Sequence, residues 1–506
     1  MVGCSSSGSK DGSGTPAGTA AESARYTVPE PEVTTPSAEG NGINVVQPAA
    51  PLPDGYTQQE FFIGGTATSF KPVATPSNGF WSATPGKTAP YKTRVIVRTP
   101  PADKFSGNVV VEWYNVSALE AGPDWAYISQ TIGRNGDAYV GVSAQVQGVE
   151  GGKTIIDVEP DPDAVAKFGK TGNIDKSGLK HIDPVRYGTL VHPGDVYSFD
   201  MFAQVGKAVK DSPTLLGGLK AKHVIATGQS QSATFLTTFV DALQPLDPVY
   251  DGFIIHSRGA GAAPLDRAYK GADTVILNGK SVLIRTDLEQ PVLMFETESD
   301  MTLLGQSAAR QPDTKRIRTW EVAGTAHADA HLISVITGGP RDPGVGSLLG
   351  CTSVNTGPHH EVLSAAYHQV VGWVDGGAAP PTGKPLKLGK AKAHAITDTT
   401  VKRDANGNAL GGVRNPLLDV PVFALSGEAP AGATAADVFK KNGTCLLFGS
   451  TTPFDQAKLV DLYGTADNYV AEFKKSAEKA VAAGFLLQPD ADELIGEAEA
   501  NRALFG

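Results

Sequence analysis

The chain has 506 residues, with 53 acidic against 43 basic side chains and a formal net charge of -10. That acid excess excludes a nucleic acid as the main partner, because neutralising phosphates takes clustered Lys and Arg. Hydrophobic residues, at 41%, suffice for a sizeable core, and three cysteines are too few for a disulfide scaffold or a multi-zinc protein.

Residues 1–41 read as a tether. MVGCSSSGSKDGSGTPAGTAAESA is Ser, Gly, Ala and Thr, with almost no large apolar group to offset its ordering entropy. Val2-Gly3-Cys4 followed by a serine run resembles a bacterial lipobox, which implies lipidation at Cys4 and a location outside the cytoplasm, on the cell membrane or secreted. Only three residues precede Cys4, whereas such a signal carries a charged and then an apolar region. No apolar run reaches the roughly 18 residues of a spanning helix, so a lipid at Cys4 is the one membrane link expected.

From residue 42 onward the pattern is strand and helix. Tyr56–Ile63 and the alternating Tyr91–Thr99 are predicted strands. Asn108–Tyr114 (NVVVEWY) is an almost continuous apolar run, as expected of a strand buried on both faces. Asp137–Ser143, Lys222–Thr227, Phe253–His256, Val292–Phe295 and Ile317–Val322 continue the series. Helical spacing covers Trp125–Ile132, Val196–Val209, Ser232–Leu243 and Val362–Val374. This alternation predicts an α/β fold with a mostly parallel sheet covered on both faces. Gly148–Pro193 and Gly259–Ser281 are long loop insertions expected to shape a pocket. A C-terminal extension, about 377–506, is irregular at first and ends in three predicted helices, Phe454–Tyr463, Asp467–Ala483 and Ala491–Leu504. Within it, DANGN (404–408) lacks the later Gly and Glu of a calcium loop and reads as a tight turn.

The chemistry concentrates in HVIATGQSQSATF. A β-branched strand runs into Gly228-Gln229-Ser230-Gln231-Ser232, and a helical stretch follows at once. A serine on a sharp strand-to-helix turn needs small residues two positions either side, so Ser230 is a candidate nucleophile; Ser232 replaces the usual second glycine. Acid and base follow in chain order. After PVLMF come Glu296, Glu298 and Asp300, of which Asp300 is favoured as the acid and Glu298 is second. After RIRTWEV, His327 lies on a glycine-containing loop where a base belongs. HADAH (327–331) lacks the Glu of a zinc motif, so neither metal nor cofactor is expected. Oxyanion donors are expected from the backbone N–H of Gln231 and of Asn115 or Val116. Arg258, at a strand end on the same edge, reads either as a contact to a substrate carboxylate or as a structural ion pair. Cys351 and Cys445 read either as a disulfide or as two buried thiols.

VEWYNVS, YVGVSAQ, HPGD, ATGQSQSA, IIHSRG, ETESDM, WEVAGTAHAD, GGVRNP and FGSTTPF together resemble the bacterial family known only as alpha/beta hydrolase domain-containing protein, from about Ile43 to the C-terminus. The resemblance implies an α/β-hydrolase fold with Ser230, Asp300 and His327 as nucleophile, acid and base. It leaves the substrate open. Cys351 and Cys445 fall in matching segments, which favours their pairing. A serine hydrolase acting on small carboxylic esters is the expected function. Amide hydrolysis, acyl transfer, or an inactive tethered binding lipoprotein are the alternatives.

Overall fold

The run NVVVEW is apolar at consecutive positions because neither face of its strand meets water. In the computed structural model, which describes residues 26–44, 51–118, 120–152, 178–339, 341–393, 397–440 and 443–506, Val109, Val111 and Trp113 face one core and Val110 the other. The same alternation recurs at Val224, Ile225 and Ala226, and at Val292, Leu293 and Met294.

Among the described residues nine strands form one sheet, in the order β1-β2-β3-β5-β4-β6-β7-β8-β9. They are β1 (Glu32–Thr34), β2 (Thr57–Ala74), β3 (Ser82–Thr99), β4 (Asn108–Trp113), β5 (Ala138–Val142), β6 (His223–Gln229), β7 (Gly252–His256), β8 (Val292–Glu296) and β9 (Ile317–Glu321). The strands from β5 across to β9 run parallel, and β1, β2 and β3 are antiparallel additions. Helices Pro123–Asn135 and His359–Val374 cover one face through Trp125, Ile128, Val362 and Val370. Ser198–Asp211 and Gln231–Thr238 cover the other through Phe199, Phe202, Phe235 and Leu236.

The early hairpin is longer than predicted. β2 and β3 pair from Thr57↔Thr99 out to Ala74↔Ser82, with irregularities between Thr68 and Phe70 and between Pro72 and Ala74. Its outer half is rich in Gly, Thr and Pro, yet it still carries Ala67, Phe70 and Ala83 into the core on one side of the sheet. The tether boundary at 41 also moves. Val28 is buried and its N–H donates to Asp247 Oδ2 at 2.7 Å, while β1 pairs with β2 at Val33↔Ile63. Packed chain is therefore present from residue 26. Cys4 lies outside the described residues, as do residues 153–177 within the predicted loop insertion Gly148–Pro193.

The C-terminal extension packs on the β9 edge. Val413 N–H donates to Glu321 O at 2.7 Å and Val413 O accepts from Ala323 N–H at 3.1 Å, which prolongs the sheet by one bridge. Helices Ala466–Ala482 and Gln488–Ala500 form their own core around Tyr469, Phe473, Ala477 and Leu494. DANGN is a turn: Asp404 Oδ1 accepts from the N–H groups of Asn406 and Asn408, at 2.9 and 3.0 Å. Among the described residues no helix is long and apolar enough to cross a membrane.

Candidate active site

β6 ends at Gln229 and the helix begins at Gln231, so Ser230 alone makes the turn between them. It does so at φ 62° and ψ -117°. Such a backbone is strained for a residue with a Cβ, at a cost of order 1–3 kcal/mol. The turn also brings residues 228 and 232 together. A Cβ on Gly228 would stand 3.1 Å from Ser232 Cβ and 3.2 Å from its carbonyl carbon. Glycine at 228 follows from that closeness, and a small residue suffices at 232.

Ser230 Oγ lies 2.8 Å from His327 Nε2, and His327 Nδ1 lies 2.6 Å from Asp300 Oδ1. Ser230 follows β6, Asp300 follows β8 and His327 follows β9, so the carboxyl ends of these parallel strands deliver all three groups to one edge. Asp300 Oδ2 accepts from the N–H and the hydroxyl of Thr297, each at 2.7 Å. Burial pushes the Asp300 carboxyl up, but His327 and the Thr297 donors outweigh it and hold the group below the usual carboxylate range. A charged carboxylate against Nδ1 fixes the ring's tautomer and leaves Nε2 free to accept the serine proton.

Glu298 faces elsewhere. Its Oε1 accepts from Gly324 N–H at 2.7 Å, and its Oε2 accepts from Gly427 N–H at 3.1 Å and from Arg403 at 2.8 Å. Glu296 is the last residue of β8; burial, with Asp300 nearby, pushes its carboxyl well above the usual range. Of the three carboxylates only Asp300 meets the imidazole.

Two expectations change. Asn115 is not free to offer its amide, because its N–H donates to Ala121 O at 2.8 Å. Its side chain braces the turn instead, with Nδ2 on Gln229 O at 3.0 Å and Oδ1 accepting from Ser117 N–H at 2.7 Å. Val116 N–H points at the site and donates to Gln231 Oε1 at 3.2 Å. Gln231 opens its helix, where the first N–H groups have no intrahelical acceptor. Arg258 is not a substrate contact. It is wholly buried, and its guanidinium donates to Gly259 O, Thr237 Oγ1 and Val282 O, which ties the following loop to the sheet.

Other groups at the site escaped the sequence reading. Gln229 Nε2 donates to His327 O at 3.1 Å. Ser299 Oγ accepts His327 N–H at 3.1 Å and donates to Gly427 O. Only the crowding of polar residues in ETESDM hints at Ser299. His331, the second histidine of HADAH, turns away, with Nε2 3.2 Å from Ala126 O. Among the described residues no group of three or more His, Cys, Asp or Glu side chains is arranged to hold a metal ion.

The cavity at Ser230 measures about 30 Å³ and is walled by Ser117, Tyr269, Val275, Leu304, Val438 and Leu447. Larger cavities of about 560 and 400 Å³ lie elsewhere and do not touch Ser230. Geometry and chemistry, not volume, therefore single out the small one. The roof residue Leu447 lies two positions past Cys445, which is joined to Cys351 across 94 residues with a Cα–Cα distance of 5.5 Å.

A hydroxyl, an imidazole and a buried carboxylate in sequence, on a strained strand-to-helix turn at the carboxyl edge of a parallel sheet, define the α/β-hydrolase architecture. The family that matches, described as an alpha/beta hydrolase domain, covers residues 28–496, and the chain belongs to it. No curated protein matches. Similar solved structures include esterase Est22, at 11% identity over 66% of this chain and 83% of that one, with a TM-score of 0.30. A glucuronoyl esterase from Solibacter usitatus matches at 11% identity over 58% and 81%, with a TM-score of 0.28. Acetyl xylan esterase 1 from Thermoanaerobacterium sp. JW/SL YS485 matches at 9% identity over 57% and 81%, with a TM-score of 0.26.

Proposed function

We propose that the protein is a serine hydrolase of small carboxylic esters. The observation that carries this reading is the unbroken chain Ser230 Oγ to His327 Nε2 at 2.8 Å and His327 Nδ1 to Asp300 Oδ1 at 2.6 Å. In the proposed reaction His327 takes the Ser230 proton as Oγ attacks the acyl carbonyl, and Asp300 stabilises the imidazolium that forms. The oxyanion is taken by the N–H groups of Gln231 and Val116, the latter exchanging the Gln231 side-chain oxygen for the substrate's. His327 then returns its proton to the departing alcohol, and water, activated by the same ring, releases the acid from the acyl-serine.

The disulfide between Cys351 and Cys445 supports a protein that works outside the reducing cytoplasm. The proposed division is one hydrolase domain that takes in the packed chain from residue 26 and includes the C-terminal extension. A fluorophosphonate probe together with p-nitrophenyl esters of graded acyl length tests the activity. Labelling and turnover that both disappear in Ser230→Ala support it. A folded wild-type protein that neither labels nor turns over any ester would show a binding protein on a hydrolase scaffold instead.

A further inference from the structure

Behind His327 lies a second chain of buried polar groups that the proposed reaction does not use. Asp124 Oδ1 is 2.6 Å from His256 Nδ1, His256 Nε2 is 2.6 Å from His359 Nε2, and His359 Nδ1 is 3.0 Å from the Ala326 carbonyl. Asp124 Oδ2 also accepts from the Thr227 hydroxyl at 2.6 Å. All of these side chains are buried, from helix Pro123–Asn135, β6, the end of β7 and helix His359–Val374.

Counting protons shows what the chain must be. Each of its three contacts needs one bridging hydrogen. An ionised aspartate and two neutral imidazoles supply only two. The set therefore holds one more proton, and Asp124, His256 and His359 together are neutral as a unit. Burial, with His256 beside it, keeps His359 itself well below the usual imidazole range. A neutral His359 has one N–H, and the carbonyl it faces requires that hydrogen on Nδ1.

The recipient of that hydrogen bond is the residue before His327. The His327 backbone is thus gripped on three sides: Ala326 O by His359, its own N–H by Ser299, and its own carbonyl by Gln229. We propose that His359, oriented by His256 and Asp124, is a positioning residue that holds the His327 imidazole in line between Ser230 and Asp300. The proposal rests on the serine hydrolase reading above.

His359→Phe tests it, because the ring is sandwiched between Tyr127 and Phe295, at centroid distances of 4.3 and 5.2 Å and interplanar angles of 16° and 17°. Phe keeps that stacking and deletes the donor. His359→Asn returns an amide N–H near the Nδ1 position. The measurement is the rate constant of fluorophosphonate labelling per competent site, with sites counted by burst titration, alongside kcat and KM. The expected result is a loss of about 10–100-fold in labelling rate and kcat for His359→Phe, with KM little changed and most of the loss recovered in His359→Asn. A merely structural role would lower the number of competent sites and leave the rate per site alone, and that result overturns the proposal. An Asn variant no faster than the Phe variant overturns it as well. If His359→Phe does not fold, Asp124→Asn is read in the same way, and a rate per site equal to wild type overturns the proposal. A wild-type protein that does not label at all removes the serine hydrolase reading and the proposal with it, which separates the two failures.

Discussion

Glu298 and Arg403 form an ion pair, Oε2 to Nη2 at 2.8 Å, that ties the loop after β8 to the C-terminal extension. The carboxylate is wholly buried, while Arg403 is 22% exposed and also reaches Glu428 at 3.2 Å. The pair explains why two acids separated by one residue have different duties. In Glu298→Gln an amide N–H would meet the Arg403 and Gly427 donors, so about 2 kcal/mol of stability should be lost. Activity per folded molecule should stay within tenfold of wild type, roughly the scale of a supporting contact. In Asp300→Asn the fold should persist while kcat drops by about 10⁴, because the ring loses the partner that sets its tautomer. Thermal unfolding and ester turnover measured on both variants check the assignment.

Asp329, two residues past His327, should shape the acid side of the stability curve. Burial pushes its carboxyl up to about 6, against the pull of Arg341. An acid raised in the folded state binds its proton more tightly there than in the unfolded chain. Stability from this group therefore falls as pH rises from about 4, the unfolded value, to about 6, by about 3 kcal/mol. Asp329→Asn keeps an oxygen to accept Leu332 N–H at the helix start, now at 3.0 Å, and removes the charge. Melting temperatures recorded from pH 4 to pH 7 should show that component of the slope in wild type and its loss in the variant.

The disulfide closes 94 residues of chain and holds the segment that roofs Ser230. Replacing Cys351 and Cys445 by serine should cost about 2–5 kcal/mol. Thermal unfolding of wild type with and without reductant should reproduce most of that difference, whereas a reductant-insensitive melting temperature would count against it.

At Gly228 the expected effect falls on the rate more than on stability. A methyl group there presses on Ser232 within 3.1–3.2 Å, partly against backbone, so the turn holding Ser230 must shift. Because about 1 Å of misplacement at a reacting group costs on the order of 100-fold, Gly228→Ala should lose roughly that much in kcat. A steady-state assay on the purified variant, with circular dichroism as the control for folding, decides it.

The turn at Ser230 was legible in the sequence because its determinants are local: a strand, five small or polar residues and a helix. That His327 would stand beside Ser230 was legible from chain order. The choice between Glu298 and Asp300 was open, since it depends on side-chain directions imposed from afar. Gly324 and Gly427, 26 and 129 residues away, turn Glu298 aside. Arg258 was ambiguous for the same reason, because nothing near it in sequence reveals that Thr237 and Val282 enclose it. The Asn115 amide was lost to Ala121, a partner inside a loop whose path carries no periodic signal. β1 escaped notice because three residues between prolines make no pattern, and only the edge of β2 gives them a partner.

The small cavity at Ser230 has a consequence for how the chain can be divided. Its walls run from Ser117 to Leu447, so the cavity is not a module that could be cut out around Ser230, Asp300 and His327. A fragment ended at residue 376 would keep those three side chains. It would surrender Val438 and Leu447 from the roof, the Gly427 carbonyl that receives Ser299, and the guanidinium that neutralises Glu298. Val438 and Leu447, far downstream of Ser230, thus share the cavity wall with Ser117, Tyr269, Val275 and Leu304, so changes in the extension can reshape the space at the serine as directly as changes beside it.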